Sequence, residues 1–285
     1  EVCDWFFPAA SERGYELKVI TEIWDVLRAF ASFGFCKAHA AAFALPTYQS
    51  AWLKTHHPAA FIAGVLTHDP GMYPKRLLLD EARQIGVGIA PLDINKSSAQ
   101  YRVERTLDGD AVRIALSCVA GISEKEIASI VQGQPYIDLA DFYRRSGAAT
   151  PVIENLIMTG AFDSIHTNQR DLLLHLTDLQ KSPVAHLPGS QLTLGFAPPA
   201  LESSGLQTLI AAEKVSSEVA RLGMDVTQHM LTFYAPFLNA IGAVKSSDLL
   251  SHRSNSSILV AGVKVALQTP PVRSGRRVIF LTLDD

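Results

Sequence analysis

The chain has 285 residues, 48% hydrophobic and 19% charged, with a mean hydropathy of +0.15. That composition fits a folded protein of two or three units and excludes a disordered or fibrous one. Twenty-five Lys and Arg against 28 Asp and Glu leave a net charge of −3, so any contact with nucleic acid must come from local patches and a histone-like binder is excluded.

From Ser11 to Phe30 the apolar residues Val19, Ile20, Ile23, Trp24, Val26, Leu27 and Phe30 recur at three- and four-residue steps, which predicts a helix. Gly34 interrupts it, and a second helix is expected from about Lys37 to His57, kinked or restarted at Pro46 and limited by Pro58. Ala59 to Thr67 and Arg76 to Ile85 read as further helices, and Val87 to Ile94 as a short strand entering a turn at Asn95 to Ser98. Tyr101 and Val103 alternate with charged neighbours, and Val112, Ile114 and Leu116 do so after Asp108-Gly109, which predicts a β-hairpin. Ser123 and Glu126 have capping-box spacing before the apolar face of Ile127, Ile130 and Val131, with Gly133 as the expected C-terminal cap. Thr150-Pro151 and Asn168 each start another helix.

Ser182 to Ser204 holds four prolines between short apolar clusters and reads as an extended connection. Helical periodicity resumes from Leu209 to Leu238, and Ile258 to Leu283 alternates in a β manner. The expected fold class is therefore α+β, mostly helical. Cys3, Cys36 and Cys118 form no Cys-x-x-Cys pair and read as reduced thiols of a cytoplasmic protein. No apolar run reaches the about 20 residues of a membrane helix. The first residue is Glu1, and the reading is of a fragment.

The common phosphate, zinc and serine-hydrolase motifs are absent. The Asp108-Gly109-Asp110 and Asp284-Asp285 pairs are read as holding no metal, and no residue is assigned a catalytic role. Tyr48 and Trp52, one helical turn apart, are expected in a core rather than stacked on bases.

The runs Gly34 to Leu45 and Tyr48 to Lys54, followed by His57-Pro58, resemble the fingers region of the bacterial C-family replicative polymerases, the α subunits of DNA polymerase III, with Cys36 and Ala38 where that pattern has Asn and Ser. The C-terminal run Gln268 to Asp285 resembles the start of the family's OB-fold, and its wording, with Cys36, is similar to the error-prone, damage-tolerant branch. The resemblance implies four parts: the C-terminal part of the fingers at 1–75, a helix-hairpin-helix DNA-binding region at 76–180, a clamp-binding linker and helical segment at 181–250, and the start of an OB-fold at 251–285. It implies a DNA-directed DNA polymerase acting in replication and damage-tolerant repair synthesis on primer-template DNA and deoxynucleoside triphosphates with Mg²⁺. The paired metal-binding Asp residues of such an enzyme are expected upstream of Glu1. The competing reading is a non-catalytic protein that binds DNA and a sliding clamp.

Three groups of residues follow. Lys37, near a helix N-terminus where a cation calls for a nearby anion, and His39 are candidates for a nucleotide or DNA phosphate, against a salt bridge or a structural histidine. Val119 to Ser123 resembles a helix-hairpin-helix hairpin, in which Gly121, Ile122 and Ser123 offer backbone amides to a phosphate, with a looser copy around Gly160; a plain helix-helix turn is the alternative. Arg273, Arg276 and Arg277, with Lys264, would track single-stranded DNA or merely protect a strand edge. Finally, Gln191, Leu192, Leu194 and Phe196 match the hexapeptide form of the bacterial sliding-clamp motif, an extended peptide that places apolar side chains in a pocket.

Overall fold

The computed structural model describes residues 2–31, 37–69, 71, 73–182, 199–270 and 277–285. The chain divides into two compact units, Glu1–His56 and His57–Asp285. Helices dominate both, in keeping with the α+β, mostly helical class.

In the first unit, α1 (Val2–Glu12) and α2 (Leu17–Ala31) are followed by α3 (Lys37–His56). Phe6 and Phe7 meet Trp24 with ring centroids 5.5 and 6.0 Å apart, and Ile20 is buried. α3 runs unbroken through Pro46 and has no buried residue. Tyr48 and Trp52 are exposed, contrary to the core placement expected for them. Their spacing puts both on one face of α3, but no described element covers that face.

The second unit starts with α4 (Pro58–His68), where proline at the first helical position needs no amide partner. α5 (Lys75–Gln84) follows. β1 (Gly88–Ala90) pairs in parallel with β3 (Gly109–Arg113), which pairs antiparallel with β2 (Arg102–Thr106). The predicted hairpin is present, with Gly109 at a φ of 125° and Thr106 opposite it. The strand expected over Val87 to Ile94 is only three residues long: Pro91 has no amide to donate, and Leu92 and Ile94 leave the sheet for the core.

A 3-10 turn (Leu116–Cys118) leads through the segment 119–123 into α6 (Glu124–Gly133). α7 (Leu139–Ser146), α8 (Thr150–Met158) and α9 (Gln169–Lys181) complete this helical core. α7 escaped the sequence reading although Asp138 caps it, its carboxylate accepting from the Asp141 amide. Gly133 is the last residue of α6 rather than its cap; the helix ends at Gln134 in an extended conformation. The core gathers Ile62, Leu66, Leu79, Ile114, Ile130, Phe142, Ile153, Phe162 and Leu176, with Phe142 edge-on to Phe162 at 5.1 Å. Helical face and strand alternation alike converge on this one cluster, so each local pattern is satisfied by the same burial.

The helical stretch expected over Leu209 to Leu238 is two helices, α10 (Ala211–Leu222) and α11 (Ala235–Ala240). Gly223, left-handed at φ 72°, ends α10. The loop beyond is held from within: Glu218, buried, accepts from the amides of Val226 and Thr227, and Arg83 donates to the carbonyls of Asp225 and Val226 at 2.9 Å. Two short sheets follow. β4 (Ala243–Val244) pairs with β5 (Leu259–Val260), and β6 (Val263–Gln268) pairs antiparallel with β7 (Phe280–Asp284). These strands form no closed barrel among the described residues. No described helix is long and apolar enough to cross a membrane.

Candidate nucleic-acid interface

The hairpin at Val119 to Ser123 is built by the residues on both sides of it. Leu116 and Val119 anchor its entry in the core, and Ile127 and Ile130 anchor its exit. Between these anchors the chain reverses at Gly121, whose φ of +78° is open to glycine and strained for most other residues. A Cβ built there would meet nothing within 4 Å, so the backbone at Gly121 faces open space. The Ile122 amide closes the turn on the Val119 carbonyl at 3.2 Å.

Two distant elements hold the Ala120 segment. Its amide donates to the carbonyl of Arg221 in α10 at 2.8 Å. Its carbonyl accepts from Nδ2 of Asn155 in α8 at 2.9 Å.

The N-terminus of α6 already has an anion. Glu126 Oε2 accepts from the Ser123 amide at 2.8 Å and from the Ser123 hydroxyl at 2.7 Å, while its Oε1 accepts from the Ala149 amide at 2.8 Å. The Ala149 amide, followed by the two Ser123 donors, holds this carboxyl below the usual range. Ser123 therefore serves as a cap, and its amide is spent on protein. Glu124 and Glu126 flank Lys125 in this first turn, so the helix end is net acidic and disfavours a further anion, unlike the turn at Gly121.

The second hairpin differs. Gly160 is also left-handed, at φ 77°, but a Cβ there would lie 2.8 Å from Oδ2 of Asp163 and 3.1 Å from Nζ of Lys214. Lys214 and Asp163 form an ion pair of 2.6 Å over this glycine. Glycine is favoured at 160 by this left-handed φ, since the side-chain ends above it could shift, and a carboxylate stands where a phosphate would approach.

Lys37 and His39 belong to the first turn of α3 and are exposed. The His39 ring lies 4.4 Å from that of Phe43, one turn on. Lys264 and Arg277 are exposed, Lys264 on β6 opposite Leu283. Arg273, Arg276 and the clamp-motif residues Gln191, Leu192, Leu194 and Phe196 lie outside the described residues. So do Gly34 and Cys36.

One cluster among the described residues has the residue types of a metal site: Asp80, His229 and Asp284, whose potential ligand atoms lie within 4.8 Å of one another. Its hydrogen bonds make it an ion-pair network instead. The Leu231 amide donates to Nδ1 of His229 at 3.2 Å, which leaves the proton of the neutral ring on Nε2, 3.3 Å from Oδ2 of Asp284. Nε2 thus has no lone pair to give a metal. Arg83 binds Asp80 at 2.7 Å and Arg76 approaches Asp284 at 3.7 Å, so two arginines already balance two carboxylates. Burial, then the neighbouring Asp80, raises the Asp284 carboxyl above the usual range. A polymerase's divalent ions do not fit these residues, and no chemical step is assigned to them.

Comparison with known proteins gives the same direction as the hairpin. Residues 86–172 match a helix-hairpin-helix motif family. Over 98% of its length the chain is 33% identical to an error-prone DNA polymerase of Symbiobacterium thermophilum, of which it covers 30%. Over 96% it is 31% identical to an error-prone DNA polymerase of Bdellovibrio bacteriovorus, covering 27% of that protein. Over 98% it is 30% identical to the DNA polymerase III subunit alpha of Vibrio cholerae, covering 25%. The chain is homologous to a segment of these polymerases. It spans between a quarter and a third of their length.

Sequence reasoning found Gly121 and Ser123 from the turn and cap spacing. It missed Asn155, Arg221 and Lys214, because a side chain or carbonyl that reaches a loop tens of residues away leaves no local pattern.

Proposed function

We propose that this chain serves as the DNA-gripping and partner-binding part of a C-family DNA polymerase of the error-prone type, in the cytoplasm. The observation that carries the reading is the open, left-handed Gly121 inside a matched helix-hairpin-helix region. A hairpin of this kind presents a backbone amide to a phosphate without needing net positive charge, which suits a chain of net charge −3. Its grip is independent of base sequence, as primer-template binding requires. The whole protein would perform template-directed nucleotidyl transfer from deoxynucleoside triphosphates with Mg²⁺, on carboxylates outside this chain. Lys37 and His39 would face a nucleotide or DNA phosphate, Arg273, Arg276 and Arg277 a single strand, and Gln191 to Phe196 the sliding clamp.

The test is duplex binding by Gly121→Val against the parent and Gly121→Asn. A β-branched side chain is strained at this φ and fills the approach, whereas Asn tolerates the left-handed region. Weaker binding by the valine variant with its melting transition intact is the expected result. Equal affinity in the folded valine variant would reduce the hairpin to a helix-helix turn.

A further inference from the structure

The peptide that joins Ala120 to Gly121 carries the Ala120 carbonyl and the Gly121 amide. Its only cis counterpart among the described residues is Gln134-Pro135, so this peptide is trans and the two groups point in opposite directions. Asn155 Nδ2 binds the carbonyl at 2.9 Å, from α8. The Gly121 amide must then point away from α8, on the residue whose missing side chain leaves open space. One residue earlier, the bond from the Ala120 amide to the Arg221 carbonyl fixes the preceding peptide plane. With both planes held, the chain enters Gly121 in a single orientation.

We infer that Asn155 is a positioning residue for DNA: by holding the Ala120 carbonyl it aims the Gly121 N–H outward as a phosphate donor. The inference rests on the reading of this hairpin as a DNA-binding element. Asn155 stands inside α8, where asparagine is a poorer helix former than alanine or leucine, and its side chain leaves the helix to bind the hairpin 35 residues earlier. The Ser123 amide is occupied by Glu126 and the Ile122 amide by Val119, so aiming Gly121 decides whether the turn offers a donor at all. The grip by α10 adds a consequence: the hairpin takes its shape from a helix beyond the 182–204 connection, so the two flanks of that connection act on one DNA contact.

The experiment measures binding of the full chain to a duplex by anisotropy over a series of salt concentrations, for the parent, Asn155→Ala, the isosteric Asn155→Asp and Gly121→Val, each checked by thermal melting. Loss of one aimed hydrogen bond should weaken Asn155→Ala about three- to tenfold. The slope of log K against log salt should stay that of the parent, because a neutral N–H releases no counterion, while the Gly121 amide resonance should lose its response to duplex. That resonance separates aiming from mere support, since a packing defect lowers affinity without silencing the Gly121 amide. If Asn155→Ala does not fold, Asn155→Asp, which also lacks the donor, carries the same expectation for the Gly121 amide. In the parent, the Gly121 amide resonance should move downfield as duplex is titrated in.

A Gly121 amide that still shifts downfield with duplex in the folded Asn155 variants, while Gly121→Val loses affinity, would overturn the inference and leave the hairpin reading standing. A Gly121→Val protein that binds as the parent does would overturn both. A Gly121 amide that does not respond to duplex in the parent would also overturn the aiming role.

Discussion

The hydroxyl of Tyr136 occupies the place a side chain at Gly133 would take: a Cβ built on Gly133 would lie 2.1 Å from the Tyr136 oxygen and 2.8 Å from the ring carbon that bears it. The hydroxyl donates to the Ile130 carbonyl at 2.9 Å, and the ring packs against Phe142 with centroids 4.8 Å apart. A glycine at the end of α6 thus serves the core and not the helix cap.

Gly133→Ala should therefore destabilise the protein even though alanine is the better helix former by about 1 kcal/mol. Displacing a ring from a packed site costs about 1–3 kcal/mol. Urea denaturation of the variant should show a lower midpoint. In a Tyr136→Ala background the penalty should shrink, because the clash has been removed. A Gly133→Ala protein as stable as the parent would mean that the ring moves aside freely.

Glu126 gives a prediction in pH. Its folded carboxyl is held below the ordinary range by the Ala149 and Ser123 donors, so the contribution is complete above the ordinary Glu value of about 4.3. It is lost as pH falls through the lower folded value. Glu126→Gln, which keeps a side-chain acceptor and removes only the charge at the helix N-terminus, should cost about 0.3–1 kcal/mol at neutral pH. The difference between the two proteins should narrow in acid, as the parent's carboxylate is protonated. Parallel stability curves down to low pH would sink this account of the cap.

The parts of the fold that were legible in the sequence are those written in local chemistry. The Asp108-Gly109 turn, the Ser123 capping box, the Pro58 and Pro151 starts and the Asn168 cap each depend on residues within one turn of one another. What was illegible depends on partners far along the chain. Tyr136 reveals the role of Gly133 only when α6 ends, and Lys214 reaches Asp163 over Gly160 from 51 residues away. Tyr48 and Trp52 failed for a different reason. Helical spacing shows that two aromatics share a face but carries no information about what covers it.

The clamp motif is tested without reference to its conformation. Burial of Leu194 and Phe196 in an apolar pocket contributes about 25 cal/mol per Å², offset in part by the ordering of an extended peptide. Affinity for a bacterial sliding clamp is expected in the micromolar range, roughly −8 kcal/mol or weaker. Truncating both residues to Ala should abolish retention on immobilised clamp while duplex binding survives. Equal retention by the double variant would place the contact elsewhere.

The Asp80, His229 and Asp284 network yields the last prediction. If Nδ1 of His229 accepts from Leu231, a divalent ion can bind through Nε2 only by breaking that cap and by separating the Arg83 and Arg76 partners from their carboxylates. Millimolar Zn²⁺ or Mg²⁺, and chelation, should then leave the melting temperature unchanged. The readout is sensitive, since an ion at a hundred times its dissociation constant stabilises a folded protein by about 2.7 kcal/mol. His229→Ala should lower stability through loss of the Leu231 cap, with or without metal. A saturable rise in melting temperature with Zn²⁺ that disappears in both His229→Ala and Asp284→Asn would assign the Nε2 lone pair to a metal and overturn the tautomer argued from the Leu231 hydrogen bond.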